Sequence, residues 1–256
     1  MSARVAVVTG ASRGIGRQLC IDLAKQGFDV VCAARSTGGQ RGALPGTVDE
    51  TAERVRKAGR RALAVAIDVR DEQSVASLAE RVFDELGRCD LLVNNAAVAP
   101  PKPALEDSTK RWRLSVDGNV NGPFYFIYHF APRMTQTGGG RVVNISSGSA
   151  NSPEFGRASY MTTKAALEAM TRSLAHDLRG KLAVNCIRLE LPVWTEGFAA
   201  TLPKGVEFDF EDPVIMSDAV VWLADQPIDY SGHILTIGEL RAKGAVRPVT
   251  RAKRGA

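Results

Sequence analysis

Seven short apolar runs, spaced by longer helical stretches, constrain the fold of this chain more than any other feature. The runs are "RVAVVT" (4–9), "DVVCAA" (29–34), "ALAVAI" (62–67), "DLLVNN" (90–95), "RVVNIS" (141–146), "LAVNCI" (182–187) and "HILTI" (233–237). Each is rich in β-branched residues and too short for a buried helix, so it reads as a strand. Helical stretches lie between them, near 14–26, 48–58, 71–86, 106–135, 157–179 and 213–225. Strands that read as nearly unbroken apolar runs are buried on both faces. They call for a parallel sheet covered by helices on each side. The alternation predicts one doubly wound α/β unit over residues 1–240, followed by a basic tail at 241–256. In such a sheet ligands bind outside the carboxyl ends of the strands, and the chemistry is sought there.

The first strand runs into "TGASRGIG", where Gly10, Ser12, Arg13, Gly14, Ile15 and Gly16 form the turn that opens the first helix. Glycines there remove side chains where backbone must approach a ligand, and the helix start offers unpaired N–H groups to a pyrophosphate. The spacing is G-x-x-x-G-x-G rather than G-x-G-x-x-G. Its place at the first strand–helix junction favours a dinucleotide over a plain turn. At the end of the second strand an acid would mark NAD, and an arginine would suit the 2′-phosphate of NADP. That strand ends in "CAARS", with Ala34 at the acid position and Arg35 after it. Two guanidinium groups, Arg35 and Arg13, and no carboxylate favour NADP, with NAD as the alternative. Arg35 as a surface residue capping the strand is the other reading. The polar insertion "STGGQRGALPGT" (36–47) lies beside this site and adds Arg41.

In "SYMTTK" (159–164), Tyr160 and Lys164 fall one helical turn apart on one face. Alone, such a pair is an ordinary surface contact. It stands in a series, however: "TGASRGIG", "DV" at 68–69, "NNAA" at 94–97, Ser147 thirteen residues before Tyr160, and "YMTTK". In that order these resemble the short-chain dehydrogenase/reductase family, from Arg4 to the last strand. The resemblance implies a Rossmann-type sheet and hydride transfer between nicotinamide and a carbonyl or secondary alcohol. It implies that Asp68 and Val69 hold the adenine, and that Asn95, Ala96 and Ala97 line the adenosine ribose. Val193 and Thr195 would meet the nicotinamide. Ser147 would donate to the carbonyl oxygen and Tyr160 deliver the proton. Lys164 would favour the phenolate and hold the nicotinamide ribose, and Asn119 in "NVNG" would hold a water that resupplies protons.

Elementary chemistry agrees with those roles. A free phenol titrates near ~10, which makes it an adequate acid but a poor base at neutral pH. A fixed ammonium nearby stabilises phenolate over phenol and widens its use in both directions. A hydroxyl aimed at the carbonyl oxygen stabilises the negative charge that develops there.

Two departures from the family pattern stand out. Ala97 replaces the usual glycine. After the sixth strand the family has Asn-x-x-x-Pro-Gly and then a threonine, whereas this chain reads "NCIRLELPVWTEG". Counting from Asn185 puts Pro-Gly on Leu189–Glu190, and counting back from Thr195 puts it on Glu190–Leu191. One residue is extra and a carboxylate enters the turn. In the segment after it, 194–212, Trp194, Phe198, Phe208 and Phe210 either wall an apolar pocket or pack in the core. An apolar ketone, hydroxysteroid-like or 3-oxoacyl-like, is the expected substrate.

Charge and cysteines limit the remaining classes. The net charge of +5 resides after residue 238, in Arg241, Lys243, Arg247, Arg251, Lys253 and Arg254 against Glu239, so the body balances to zero. A neutral body disfavours nucleic-acid binding. Cys20, Cys32, Cys89 and Cys186 have no paired spacing and read as buried, reduced thiols. The three scattered histidines support no metal site. No stretch has the apolar length of a membrane span or the form of a signal peptide, so a cytoplasmic protein is expected. Family resemblance implies a homo-oligomer, a tetramer or dimer, built on the helices at 106–135 and 157–179. The alternative function is a non-catalytic NADP-binding scaffold or sensor, suggested by the altered loop.

Overall fold

Strand β1 (Val5–Thr9) is buried along its whole length. Its alternate residues face opposite sides: Ala6 and Val8 enter one apolar layer, Val5 and Val7 the other. The computed structural model describes residues 3–40, 42–98, 101–200, 202, 207–248 and 252–255. Arg41 and Arg251, and the side chains of Phe208, Lys253 and Arg254, lie outside the described part.

Six more parallel strands flank β1: β2 (Asp29–Ala34), β3 (Ala62–Ala66), β4 (Leu91–Asn94), β5 (Gly140–Ser147), β6 (Leu182–Leu189) and, beyond β7 (Glu207–Phe210), β8 (Ile234–Thr236). Their order is β3-β2-β1-β4-β5-β6-β8. The chain steps outward from β1 to β3, then returns to place β4 on the other side of β1. The crevice at that reversal is where such sheets take ligands. Helices α1 (Gly14–Lys25), α2 (Val48–Lys57) and, after α7 (Glu196–Ala199), α8 (Val214–Ala224) cover one face through Leu19, Leu23, Val55, Ile215 and Leu223. On the opposite face α3 (Glu72–Leu86) and α5 (Gly122–Gln136) pack Leu78, Val82, Phe126, Phe130 and Met134. Burying each such side chain contributes about 1.5–3 kcal/mol. Helix α6 (Ala158–Asp177) follows β5, and α9 (Ile237–Ala242) follows β8.

One expected helix differs. The stretch 106–135 divides into α4 (Thr109–Val116), one π turn (Asp117–Asn121) and α5. The Gly122 N–H reaches back to the Asp117 carbonyl, and Pro123, lacking an N–H, prevents an ordinary ladder from continuing. Gly122 also lies against the loop after β3, where an added Cβ would stand 2.9 Å from the Val69 carbonyl oxygen. That close approach allows only hydrogen, and it widens the helix at Asn119.

The basic terminus is tied to the body. Arg241 pairs with the buried Glu211 at 3.0 Å and Arg247 with Asp218 at 2.6 Å. Strand β9 (Ala252–Gly255) runs antiparallel to β7.

Candidate active site

The carboxyl end of β1 is built by a hydroxyl. Thr9 Oγ1 accepts from the backbone N–H groups of Asn95 and Ala96, both at 3.0 Å, and Asn95 Nδ2 donates back to the Thr9 carbonyl at 2.8 Å. These bonds hold the turn after β4 against the turn after β1. Gly16 is sterically required there, since a Cβ would stand 2.3 Å from the Gly10 carbonyl oxygen. The result is a cleft of about 370 Å³. Gly10, Ser12, Arg13, Gly14, Ile15 and Gly16 line it on one side. Arg35, Asp68, Val69, Asn95, Ala96 and Ala97 line the other, and Thr195 closes one end.

Three charged groups shape this cleft. Arg35 is exposed at the end of β2 and its positive charge acts on both Arg13 and Asp68. Asp68 is gripped by Arg70, whose Nε lies 2.9 Å from one carboxylate oxygen and whose Nη2 lies 2.5 Å from the other. The Arg70 hydrogen bonds hold the Asp68 carboxyl below the usual carboxylate range against the opposing effect of burial. Arg13 turns toward the insertion, donating to the carbonyls of Leu44, Pro45 and Gly46 and to Ser36 Oγ at 2.8–3.2 Å. Partial burial lowers its pKa, Glu196 opposes that, and Arg35 and Arg17 add to it. Arg13 thus holds Ser36 and residues 44–46 beside the cleft.

A second cleft, of about 640 Å³, adjoins the first and shares Ile15, Asn95, Ala97, Thr195 and Gly197 with it. Ser147, Tyr160, Lys164 and Val193 line it. Ser147 ends β5, while Tyr160 and Lys164 stand on the first turns of α6. Lys164 is 3% exposed, and its ammonium donates to the Ile145 carbonyl at 2.6 Å. It lies 5.6 Å from the centroid of the Tyr160 ring. Asn119 sits beneath the clefts rather than in their walls. Its Oδ1 accepts from the Val98 N–H at 2.7 Å, and its Nδ2 donates to the Val98 carbonyl at 2.8 Å and to Thr163 Oγ1 at 3.0 Å. The widened π turn therefore ties the loop after β4 to α6.

Several residues here carry no motif. Ser147 Oγ lies 3.3 Å from Ser149 Oγ, which in turn donates to the Glu154 carboxylate. Glu154 and Arg157 both line the second cleft, Arg157 one turn before Tyr160 with its guanidinium 5.8 Å from that ring. The i, i+3 spacing of Arg157 and Tyr160 was the available signal. At the altered loop, the Glu190 carboxylate accepts from the N–H groups of Ile237 (3.0 Å) and Gly238 (2.8 Å). A side chain anchored on α9 thus holds the turn where the family has Pro-Gly. Of the aromatic residues after it, Phe198 lines the second cleft, and Phe210 is buried edge-on against it at 5.4 Å. Trp194 lies outside the lining of either cleft.

The first cleft suits a dinucleotide. Its backbone admits close approach, and the first N–H of α1 already holds an anion, with Gly14 N 2.9 Å from a Glu196 carboxylate oxygen. Among the described residues no group of three or more His, Cys, Asp or Glu side chains is arranged for a metal. Among the described residues no helix is long and apolar enough to cross a membrane. All four cysteines are free and buried.

Comparison with known proteins agrees with this arrangement. The short chain dehydrogenase family model matches residues 4–196. The chain is 29% identical over 230 residues to hydroxysteroid dehydrogenase-like protein 2 of Bos taurus, covering 89% of this chain and 55% of that protein. It thus spans about half the length of that curated relative. A short chain dehydrogenase from Mycobacterium paratuberculosis bound to NAD superposes with a TM-score of 0.80 at 27% identity, over 92% of this chain and 96% of its own. A metagenomic short-chain oxidoreductase in complex with NADP gives 0.76 at 28% identity, over 91% and 96% respectively.

Proposed function

The chain belongs to the short-chain dehydrogenase/reductase family; on that premise we propose that it is a nicotinamide-dependent oxidoreductase, NADP-dependent and acting on a carbonyl or secondary alcohol. The observation that carries this reading is the meeting of Ser147, Tyr160 and Lys164 in one cleft that continues into the glycine-lined one. The bound nicotinamide supplies or accepts the hydride. Tyr160 gives its phenol proton to the substrate oxygen, and Ser147 donates a hydrogen bond to that oxygen as charge develops. Lys164 holds positive charge beside the phenol and binds the nicotinamide ribose. Asn119 fixes the frame between the loop after β4 and α6 that sets the phenol's place.

Around the cofactor, the glycine turn, Ser12 and Ile15 take the phosphates, and Asp68, Val69 and Asn95–Ala97 surround the adenosine. Val193 and Thr195 border the nicotinamide. NADP is supported by Arg35 at the end of β2 with Ala34, not an acid, before it. Arg13 acts by placing the insertion. Ile145, Leu189, Leu191, Pro192 and Phe198 form an apolar wall in the second cleft. This supports a substrate with an apolar body, of hydroxysteroid-like or 3-oxoacyl-like kind, whose polar end meets Glu154 and Arg157. Residues 1–240 carry both clefts, and the basic terminus after them packs onto that unit through Arg241, Val246 and Arg247. Four free buried thiols support a reducing compartment, the cytoplasm. NADPH oxidation against a panel of ketones, with neutral and charged members, tests the whole reading. Turnover of apolar ketones with NADPH is expected; absence of any carbonyl-dependent oxidation overturns it.

A further inference from the structure

One wall of the second cleft is held from the C-terminal end of the chain. Pro192 and Val193 line that cleft, and Thr195 lines both clefts. The stretch that carries them is clamped by Glu211. Its backbone N–H donates to the Pro192 carbonyl at 2.9 Å, and its carbonyl accepts from Trp194 N at 3.1 Å. These two bonds flank Val193, which pairs with Glu211 in an isolated parallel bridge. The Glu211 side chain is fully buried, and Arg241 Nη2 meets its carboxylate at 3.0 Å. We infer that Arg241 is a positioning residue for the substrate cleft, and that the C-terminal segment beyond it belongs to the same brace.

A carboxylate shut away from water is tolerated only beside a compensating charge. Arg241 supplies that charge from α9. Without it the carboxylate has to move toward water, and the backbone at 211 moves with it. Such a movement releases Pro192 and Trp194, and with them the cleft wall. Arg241 is itself held in place. Its Nε donates to the Arg247 carbonyl at 3.2 Å, and Arg247 pairs with Asp218 on α8 at 2.6 Å. Val246, between them in sequence, is buried in the core layer under α8. A second route runs through strand pairing. Phe210, the residue before Glu211, is buried edge-on against Phe198 of the cleft lining, and its backbone pairs with Ala252 of β9. Both routes end at the wall of the second cleft, and neither includes Arg35 or Asp68 of the first.

The inference rests on the reading of the second cleft as the substrate site, and one arm of its test needs no substrate. Amide hydrogen exchange, followed by mass spectrometry, is compared in wild type, Arg241→Met, Arg241→Gln and the double variant Arg241→Met/Glu211→Leu. Arg241→Met should speed exchange in peptides spanning 192–198 and 207–211 by at least about tenfold, while β1 to β5 stay unchanged. The double variant removes both charges and should return exchange close to the wild-type rate. Arg241→Gln keeps a donor for the carboxylate, so it should show a smaller change of the same sign and serves where Arg241→Met does not fold. The second arm uses saturating NADPH and a ketone that wild type turns over. Arg241→Met, or Arg241→Gln in its place, should raise the ketone KM, by about tenfold for Met, and the double variant should restore it. Affinity for adenosine 2′,5′-bisphosphate, which carries the adenosine end alone, should not change. Unchanged exchange in both single variants overturns the inference, as does equal loosening of the whole sheet or a double variant that restores nothing. If the wall loosens as expected but wild type turns over no ketone, the brace stands and the substrate reading falls.

Discussion

Tyr160 and Lys164 show how one short spacing acquires meaning from its surroundings. An exposed pair of this kind holds no fixed geometry, but here the Ile145 carbonyl at the end of β5 fixes the buried ammonium 5.6 Å from the phenol ring. Tyr160→Phe keeps the ring and removes the proton. Turnover of a verified ketone should fall by at least about a hundredfold while NADPH affinity is unchanged, as steady-state rates and a binding titration would show. Normal turnover in that variant would remove Tyr160 from the chemistry. At the other end of the site, Arg35 lines the cleft at the end of β2 and is the group proposed to meet the 2′-phosphate that only NADP carries. The double variant Ala34→Asp/Arg35→Ser removes a charge-assisted bond of about 1.5–3 kcal/mol. It should lose about one to two powers of ten in NADPH affinity and keep or gain NADH affinity. Wild type binding NADH as tightly as NADPH would make Arg35 a surface residue.

The elements that carry these residues are braced from behind. Glu168 on α6 accepts from Ser146 Oγ at 2.8 Å and from Arg188 Nε at 2.9 Å and Nη2 at 2.6 Å. This joins α6 to the ends of β5 and β6, just beneath Ser147. Burial pushes the Glu168 carboxyl up, but the bonds from Arg188 and Ser146 outweigh it and hold the group below its ordinary value. A carboxyl with a folded pKa below its unfolded one, about 4.3, contributes its full stability above that pH. The contribution is lost as pH falls through the folded value. Glu168→Gln should therefore cost about 2–3 kcal/mol at neutral pH, by leaving Arg188 without its carboxylate. The difference from wild type should shrink in denaturant melts below about pH 4. An equal difference at pH 7 and in acid would show that packing, not charge, is the cause.

For the whole molecule, the exposed aromatic residues support the expectation of a homo-oligomer. Phe124 and Tyr128 are 43% and 60% exposed on α5, stacked with ring centroids 6.0 Å apart, and Trp112 on α4 is 42% exposed. Apolar rings clustered on one helix face are costly to leave in water. Wild type should elute as a multiple of its 27.5 kDa chain mass, and Phe124→Ser/Tyr128→Lys should shift it toward the monomer in light scattering. A wild-type monomer would place these rings elsewhere in the function.

Local pattern alone determined the seven strands of the main sheet and most helices, because each buried strand must be apolar along its own few residues; it gave no sign of the β7–β9 pair. Strand β2 lies where 29–34 reads, and α2 where 48–58 reads to within one residue. The candidate site residues were likewise picked out by local pattern, since a glycine turn after β1 and a tyrosine one turn from a lysine are short-range features. Tertiary structure decided what no local period encodes. Glu196 meets Arg17 across 179 positions, and Glu190 meets Ile237 across 47. The break in the helix at 117–121 arises where Gly122 fits against the Val69 carbonyl. Each of these contacts exists because strand order brings distant loops to one end of the sheet, and charge and steric contact act through space rather than along the chain.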